Sequence, residues 1–380
     1  MSNLWLALAV ITVGGLALPG QSPLTANETN LQQPLAAIRN VQVQGEGHAS
    51  AMEAWKTLST RSVQDVPAML KGMSPDNDLA NNWLRMAIDT VIDHGISDGQ
   101  SVPLDAMEQV LADTNNPARG RELAYEWLTK LDKTADRRWL PKMLNDPSLD
   151  LRWKSVDAVL ANAKQLQENG QAAESLQQYK TALLAARNVD QIKTAAQALR
   201  DGGDEVDLTR LFGFLTSWHL IGPFDNRDKQ GFDRDYPPEG SVDLSATYMG
   251  KEDSQVAWKT HQTSDEYGLV DLNEAVGKNM GAAAYAVTTF VSNESQQVDI
   301  RWGSTNANKV WLNGELLGSN HVYHSGDGID QYVAQGQLKA GENIILLKVC
   351  QNEQTDSCMQ DWNFQIRICD ELGTAIHSAK

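Results

Sequence analysis

Two histidines three residues apart, His321 and His324 in HVYHSGDGID, are followed at once by Asp327 and Asp330. Imidazole with carboxylate is a zinc-ligand chemistry, but residues three apart on an extended strand face opposite sides. Both rings reach one metal only where the chain turns. The plainer expectation is an exposed polar loop around a partly buried Tyr323. A second acidic stretch, Asp225, Asp228, Asp233 and Asp235, is interleaved with Arg227, Lys229 and Arg234. Calcium takes several converging oxygens, and Asp225 and Asp228 are the candidates for a structural ion; no other cofactor is expected. As catalytic carboxylates these acids have no partner at a separation that glycoside hydrolysis would set. Trp218, Trp258, Trp302, Trp311 and Trp362 supply aromatic rings that either stack on sugars or fill a core. Gly-x-Ser-x-Gly, His-Glu-x-x-His, the phosphate-cradling Gly-x-x-x-x-Gly-Lys and Gly-x-Gly-x-x-Gly are all absent from the sequence, which points away from catalysis.

The elements that would carry these residues change character along the chain. Residues 48–204 place apolar side chains three and four apart, as in NNWLRMAIDTVIDHG and WKSVDAVLANAKQL, which is helical spacing. Helix starts are marked near Pro75, Pro117 and Pro147, because proline suits a first turn. The stretch ENGQAAESLQQYKTALLAA reads as a helical hairpin turning at Gly170. RDGGDEVDLTR, residues 200–210, breaks the pattern, and from there to the C-terminus the period is two. AYAVTTFV, VDIRWG, KVWLNGELLG, NIILLKV and NFQIRI are short runs rich in β-branched and aromatic residues. Asn313-Gly314 between two such runs predicts a two-residue hairpin, and Ile344 to Leu347 predict a strand with apolar cover on both faces. In SWHLIGPFDN, Trp218 and Leu220 point one way and His219 the other. Gly222-Pro223 is expected to end the strand, with Phe224 turned inward past a bend.

The formal charge of −17 argues against nucleic acid or anionic lipid as partner. Leu4 to Pro19 is one apolar run, shorter than a full membrane span of about 20 residues. Residues 1–26 are therefore expected to be a signal peptide or an uncleaved anchor, placing the protein in the periplasm, envelope or exterior. Membrane contact would then come only through that segment. Residues 27–47 are expected to be a flexible linker. All three cysteines lie in the last 31 residues; Cys350 and Cys358 could bridge the ends of the loop QNEQTDS, or remain buried thiols like Cys369.

KVWLNGELLG, DQYVAQGQLKAGENIILLKV and WNFQIRICDELG together resemble the second half of a galactose-binding-like jelly roll, the module of carbohydrate-binding domains. WHLIGPFDN, YPPE and AYAVTTF extend the likeness to secreted bacterial proteins with HEAT- or tetratricopeptide-like repeats in front. The resemblance covers about 160 residues and implies a fold rather than an activity. Lectin-like members carry an Asp-Asp-Gly loop, whereas this chain has Thr305, Asn306, Ala307 and Asn308 there, which puts calcium-dependent sugar binding in doubt. The expected architecture is α then β: a helical repeat array at 48–204 and an antiparallel β-sandwich at 205–380. The expected function is non-catalytic binding, of carbohydrate or an envelope component by the sandwich and of protein by the helices. An accessory or degenerate domain of a carbohydrate-active enzyme acting on polysaccharide is the alternative. Candidate ligand residues are Trp258, Trp302, Asn306, Asn308, His321, Tyr323 and His324.

Overall fold

A computed structural model of the chain describes residues 26–380, apart from positions 327, 357, 358 and 380, with side chains from Leu31 onward. The expected export segment therefore lies outside the described residues but for Ala26. No described helix is long and apolar enough to cross a membrane. The chain forms two compact units that divide between Asp136 and Arg137.

The first unit is helical: α1 (Ala26–Arg39), α2 (His48–Ser59), α3 (Val66–Lys71), α4 (Asp78–Ser97), α5 (Leu104–Ala112) and α6 (Ala118–Leu131), with α7 (Ala135–Trp139) at its edge. Residues 27–47 are not a free linker. Leu31, Leu35 and Ile38 recur at helical spacing and are buried, so α1 gains a packed apolar face against α2 and α4. Helix starts fall where proline marked them: Asn77 caps α4, and Pro117 precedes α6.

The second unit opens with α8 (Leu149–Glu168), α9 (Ala172–Ala185), α10 (Val189–Asp201) and α11 (Leu208–Phe212). Ser148 caps α8, and Gly170 turns the α8–α9 hairpin at φ 79°, a left-handed conformation that suits glycine. Strands follow from Ser217: β1 (Ser217–Asp225), β2 (Thr247–Met249), β3 (Gln255–Ala257), β4 (Lys259–Gln262), β5 (Val270–Asp271), β6 (Ala282–Ser292), β7 (Gln296–Gly303), β8 (Ala307–Leu312), β9 (Glu315–Asn320), β10 (Tyr332–Leu338), β11 (Gly341–Gln351) and β12 (Asn363–Cys369). Two short helices, α12 (Pro237–Gly240) and α13 (Leu272–Ala275), interrupt them. The change from helix to strand thus sits inside the second unit, and α8–α11 belong with the sheets.

The main sheets are antiparallel, six strands in the order β4-β1-β6-β11-β8-β9 and four in the order β10-β7-β12-β5; β2 and β3 pair separately. Asn313 and Gly314 carry φ 53° and 86° between β8 and β9, as a type I′ turn requires. Period-two alternation sorts each central strand onto two faces. Trp218, Ala284, Ile345 and Leu347 meet Ile300, Trp302, Phe364 and Ile366 of the other sheet in one core. The opposite face of the six-stranded sheet has its own apolar cluster, in which Tyr285, Trp311, Leu346 and Cys350 meet Phe224, Phe232 and Tyr236. The consecutive apolar residues of β11 are explained by this double cover. The outer face of the four-stranded sheet carries Arg301 and Arg367, and Phe212 and Phe214 from the helical part pack beside it.

Candidate functional site

The residues singled out from sequence separate into three groups. Trp302, Asn306 and Asn308 are core. Trp302 is 2% exposed and donates through Nε1 to Asn308 Oδ1 at 2.8 Å. Asn306 Nδ2 donates to the Asp361 carbonyl at 2.9 Å, and its Oδ1 accepts from the Asn363 amide at 3.1 Å. Asn308 Nδ2 donates to the Asn306 carbonyl at 2.8 Å. Buried amides must be hydrogen-bonded, and these two meet that need by tying β8 to its neighbours rather than by facing a ligand. Trp258 is half-buried against the outer-face cluster. Trp311 also faces that cluster, whereas Trp302 lies in the core between the sheets.

His321, Tyr323 and His324 do come together, with a partner that sequence reasoning missed. The His321 ring lies flat on Phe232, centroids 4.1 Å apart and planes 4° apart. Lys309 Nζ stands 4.7 Å from the Phe232 ring, and Lys229 Nζ 5.2 Å from that of Tyr323. Asn226 is fully buried behind them; its Nδ2 donates to the Gln351 carbonyl at 2.8 Å and to Tyr323 Oη at 3.2 Å. Burial pushes the Tyr323 hydroxyl up to about 12. His324 Nε2 lies 3.1 Å from Asn352 Oδ1.

Neither acidic stretch assembles a metal centre among the described residues. Arg227 forks onto the Asp225 carboxylate, holding it down to about 2, and Asp228 is exposed. Asp330 is taken by Arg367 and Arg301, and Asp327 lies outside the described residues. The proposed Cys350–Cys358 bridge involves a residue outside the described set, while Cys350 is a buried free thiol.

A cleft of about 610 Å³ lies on the outer face of β4, β1, β6 and β11. Register builds it. His219 pairs with Thr260 on one side and Val287 on the other, and Thr289 pairs with Ile344, so these side chains share one face. Val242 and Leu244 wall it, and Ser217, His261 and Gln262 edge it at β4. The lining holds aliphatic carbons, hydroxyls, two imidazoles, an amide and part of the buried Trp218, with no Asp, Glu, Lys or Arg. The alternation in SWHLIG is the sequence signal for its floor; its walls come from residues far off in sequence.

No family model matches the chain, and neither does any curated protein. Among solved structures, a β-glucosidase of Kluyveromyces marxianus is similar at 12% identity, over 33% of this chain and 16% of its own, with a TM-score of 0.24. A family 35 carbohydrate-binding module from an environmental isolate is similar at 20% identity over 27% of this chain and 75% of its own, with a TM-score of 0.18. A β-glucuronidase of an uncultured Clostridium is similar at 12% identity over 42% and 29%, with a TM-score of 0.22. The chain thus spans well under two thirds of the length of these two enzymes.

Proposed function

We propose that this protein is an exported, non-catalytic binding protein. In this reading its two-sheet half is a jelly-roll sandwich that takes a neutral oligosaccharide in the His219 cleft, and its helices are a repeat array that contacts protein. The observation that carries the reading is the composition of the cleft. A pyranose presents an apolar face and a rim of hydroxyls, and the cleft offers Val287 and Ile344 for the first and His219, Thr260 and Thr289 for the second. Its volume suits a small ligand, for which pockets of about 300–1,000 Å³ are usual. The absence of charge favours a neutral sugar, since an ionised ligand would lose its hydration without a countercharge. Glycoside hydrolysis ordinarily uses two carboxylates, and none lines this cleft, which supports binding without turnover. Export rests on the apolar run Leu4 to Pro19.

The test is a screen of the full chain against neutral glycans, repeated with Thr260→Trp, an exposed position whose indole would fill the cleft. Binding by the native chain, its loss in T260W with an unchanged melting temperature, and no release of reducing ends support the reading. Equal binding by the two proteins refutes the placement of the site.

A further inference from the structure

Four strands end the two main sheets, and three of their free edges are blunted. β4 is four residues long and carries Lys259, and β5 has only two residues. β9 carries Glu315 and bulges at Leu317, since Val310 pairs with Gly318 but Trp311 with Leu316. Charge, brevity and bulges are the means by which exposed edges are kept from pairing with other chains. β10 has none of them. Its seven residues, YVAQGQL, hold no charge and no proline. They pair with β7 without a break, from Tyr332 opposite Trp302 to Leu338 opposite Gln296. No strand pairs with the other side of β10 among the described residues. Alternate residues of an antiparallel strand turn amide and carbonyl away from the first partner, so this edge presents a regular row of donors and acceptors.

The side chains of the edge also stop short. Tyr332 and Ala334 are half-buried at the margin of the core between the sheets, and Val333, on the opposite face, is 52% exposed. Gln335 accepts from Gln297 Nε2 at 2.9 Å, while its own Nε2 donates to no described group.

We propose that β10 is a self-association edge, to which a second copy of this chain adds its own β10 in antiparallel register. Symmetry and charge name the occupant. A two-fold axis at Gln335 pairs all seven residues: Tyr332 with Leu338, Val333 with Gln337, Ala334 with Gly336, and Gln335 with its own copy. The half-buried margin at Tyr332 and Ala334 is then covered on both copies. Gln335 Nε2 can donate to Gln335 Oε1 of the second copy, carrying the Gln297–Gln335 amide ladder across the axis. No charged side chain is set against another, and Lys339 comes beside Gln331 of the second copy. Two chains of formal charge −17 repel each other, and this neutral edge lets them meet without like charges in contact. The proposal does not rest on the His219 cleft, which β10 does not line.

One pair of seven-residue strands belongs to the small interfaces, below about 1,200 Å², so a dissociation constant on the order of 10–100 µM is expected. Sedimentation equilibrium of the full chain, from about one-tenth to ten times that range, tests this, with melting temperatures read alongside. The native chain should pass from monomer to dimer, and the dimer should tighten as salt screens the net charge. Gln335→Lys, on an exposed face, sets two ammonium groups against each other at the axis and should weaken the dimer at least about 10-fold. Gln335→Glu should do the same, and an equimolar mixture of the two variants should dimerise again, which only a self-paired Gln335 explains. Leu316→Lys, on the exposed β9 edge, should leave the dimer intact. A chain that stays monomeric throughout, a dimer that weakens with salt, or one unchanged in Q335K overturns the proposal. Loss of the dimer in L316K, or a mixture no tighter than either charged variant alone, overturns it equally.

Discussion

Lys348 is fully buried on the outer face of β11, and replacing it should loosen everything that covers that face. Its ammonium has three donors and uses all of them: the Phe232 carbonyl at 3.1 Å, the Arg234 carbonyl at 2.8 Å and Glu239 Oε1 at 2.7 Å. Glu239 also accepts from the Tyr285 hydroxyl, which burial and this carboxylate push upward. One ammonium therefore pins segment 232–239 to the sheet. Lys348→Met keeps the stem but leaves a carboxylate and two carbonyls without their donor. Removing one partner of a buried pair costs about 3–5 kcal/mol, and three acceptors at about 1 kcal/mol or more each give a similar figure. Because the chain has two compact units, the cleanest assay is amide hydrogen exchange on β6 and β11 peptides. Exchange through the opening of this unit should quicken by about 10²–10⁴-fold. A triple variant, Lys348→Met with Glu239→Leu and Tyr285→Phe, removes the stranded polar groups together and should recover most of the loss. An effect of K348M below about 1 kcal/mol, or a triple variant worse than the single one, would refute the account of Lys348 as a staple.

Asp330 gives a pH dependence. Burial alone would raise its pKa, but hydrogen bonds from Arg367 Nε at 2.6 Å and Nη2 at 2.5 Å, with Arg301 nearby, outweigh burial and lower it. The folded value lies below the unfolded one, so this stability is present above about pH 4 and lost as pH falls through the lowered value. Asp330→Asn should cost roughly 2–4 kcal/mol at pH 7, and the gap from the native protein should shrink below about pH 4; a gap independent of pH would count against the pairing. Cys350 and Cys369 are buried, with thiols pushed up to about 12 and about 11 by that burial. Iodoacetamide at pH 8, read by peptide mass spectrometry, should modify both on the order of 10³-fold more slowly than a free thiol. Labelling within minutes would contradict their burial.

The α-then-β order was legible because each half keeps its own period. The Asn313-Gly314 hairpin, the Gly170 turn and the proline-marked helix starts were legible because each rests on local backbone geometry. Which face a side chain takes was much less so. Trp302 and Trp311 look alike in their strands, but both faces of the six-stranded sheet are apolar, so alternation alone does not say which core receives each. Asn306 and Asn308 looked like ligand-binding amides because hydrogen bonding to distant carbonyls leaves no mark in local sequence. Lys348 sits in IILLKVC as an ordinary strand lysine would, and its acceptors lie more than 100 residues away.

The stretch SWHLIGPFDN shows how one irregularity decides what the outer face becomes. Strict alternation from Trp218 would send Phe224 into the core between the sheets, and the chain was expected to leave the sheet at Gly222-Pro223. Instead β1 continues to Asp225. Ile221 pairs with Tyr285 and Phe224 with Ala283, three steps on one strand against two on the other. That one-residue bulge flips every later side chain to the opposite face. Phe224 therefore joins Ile221 on the outside, 4.7 Å from the Tyr236 ring and 5.5 Å from that of Tyr285. The aromatic trio gives segment 232–239 an apolar anchor beside the Lys348 staple, so this end of the outer face is closed. His219 lies on the other side of the bulge, where alternation still holds, and there the face remains open. The same ten residues thus close one half of the sheet's outer surface and floor the cleft in the other. The histidine that has no catalytic partner in sequence lines the open cleft because of where the bulge falls.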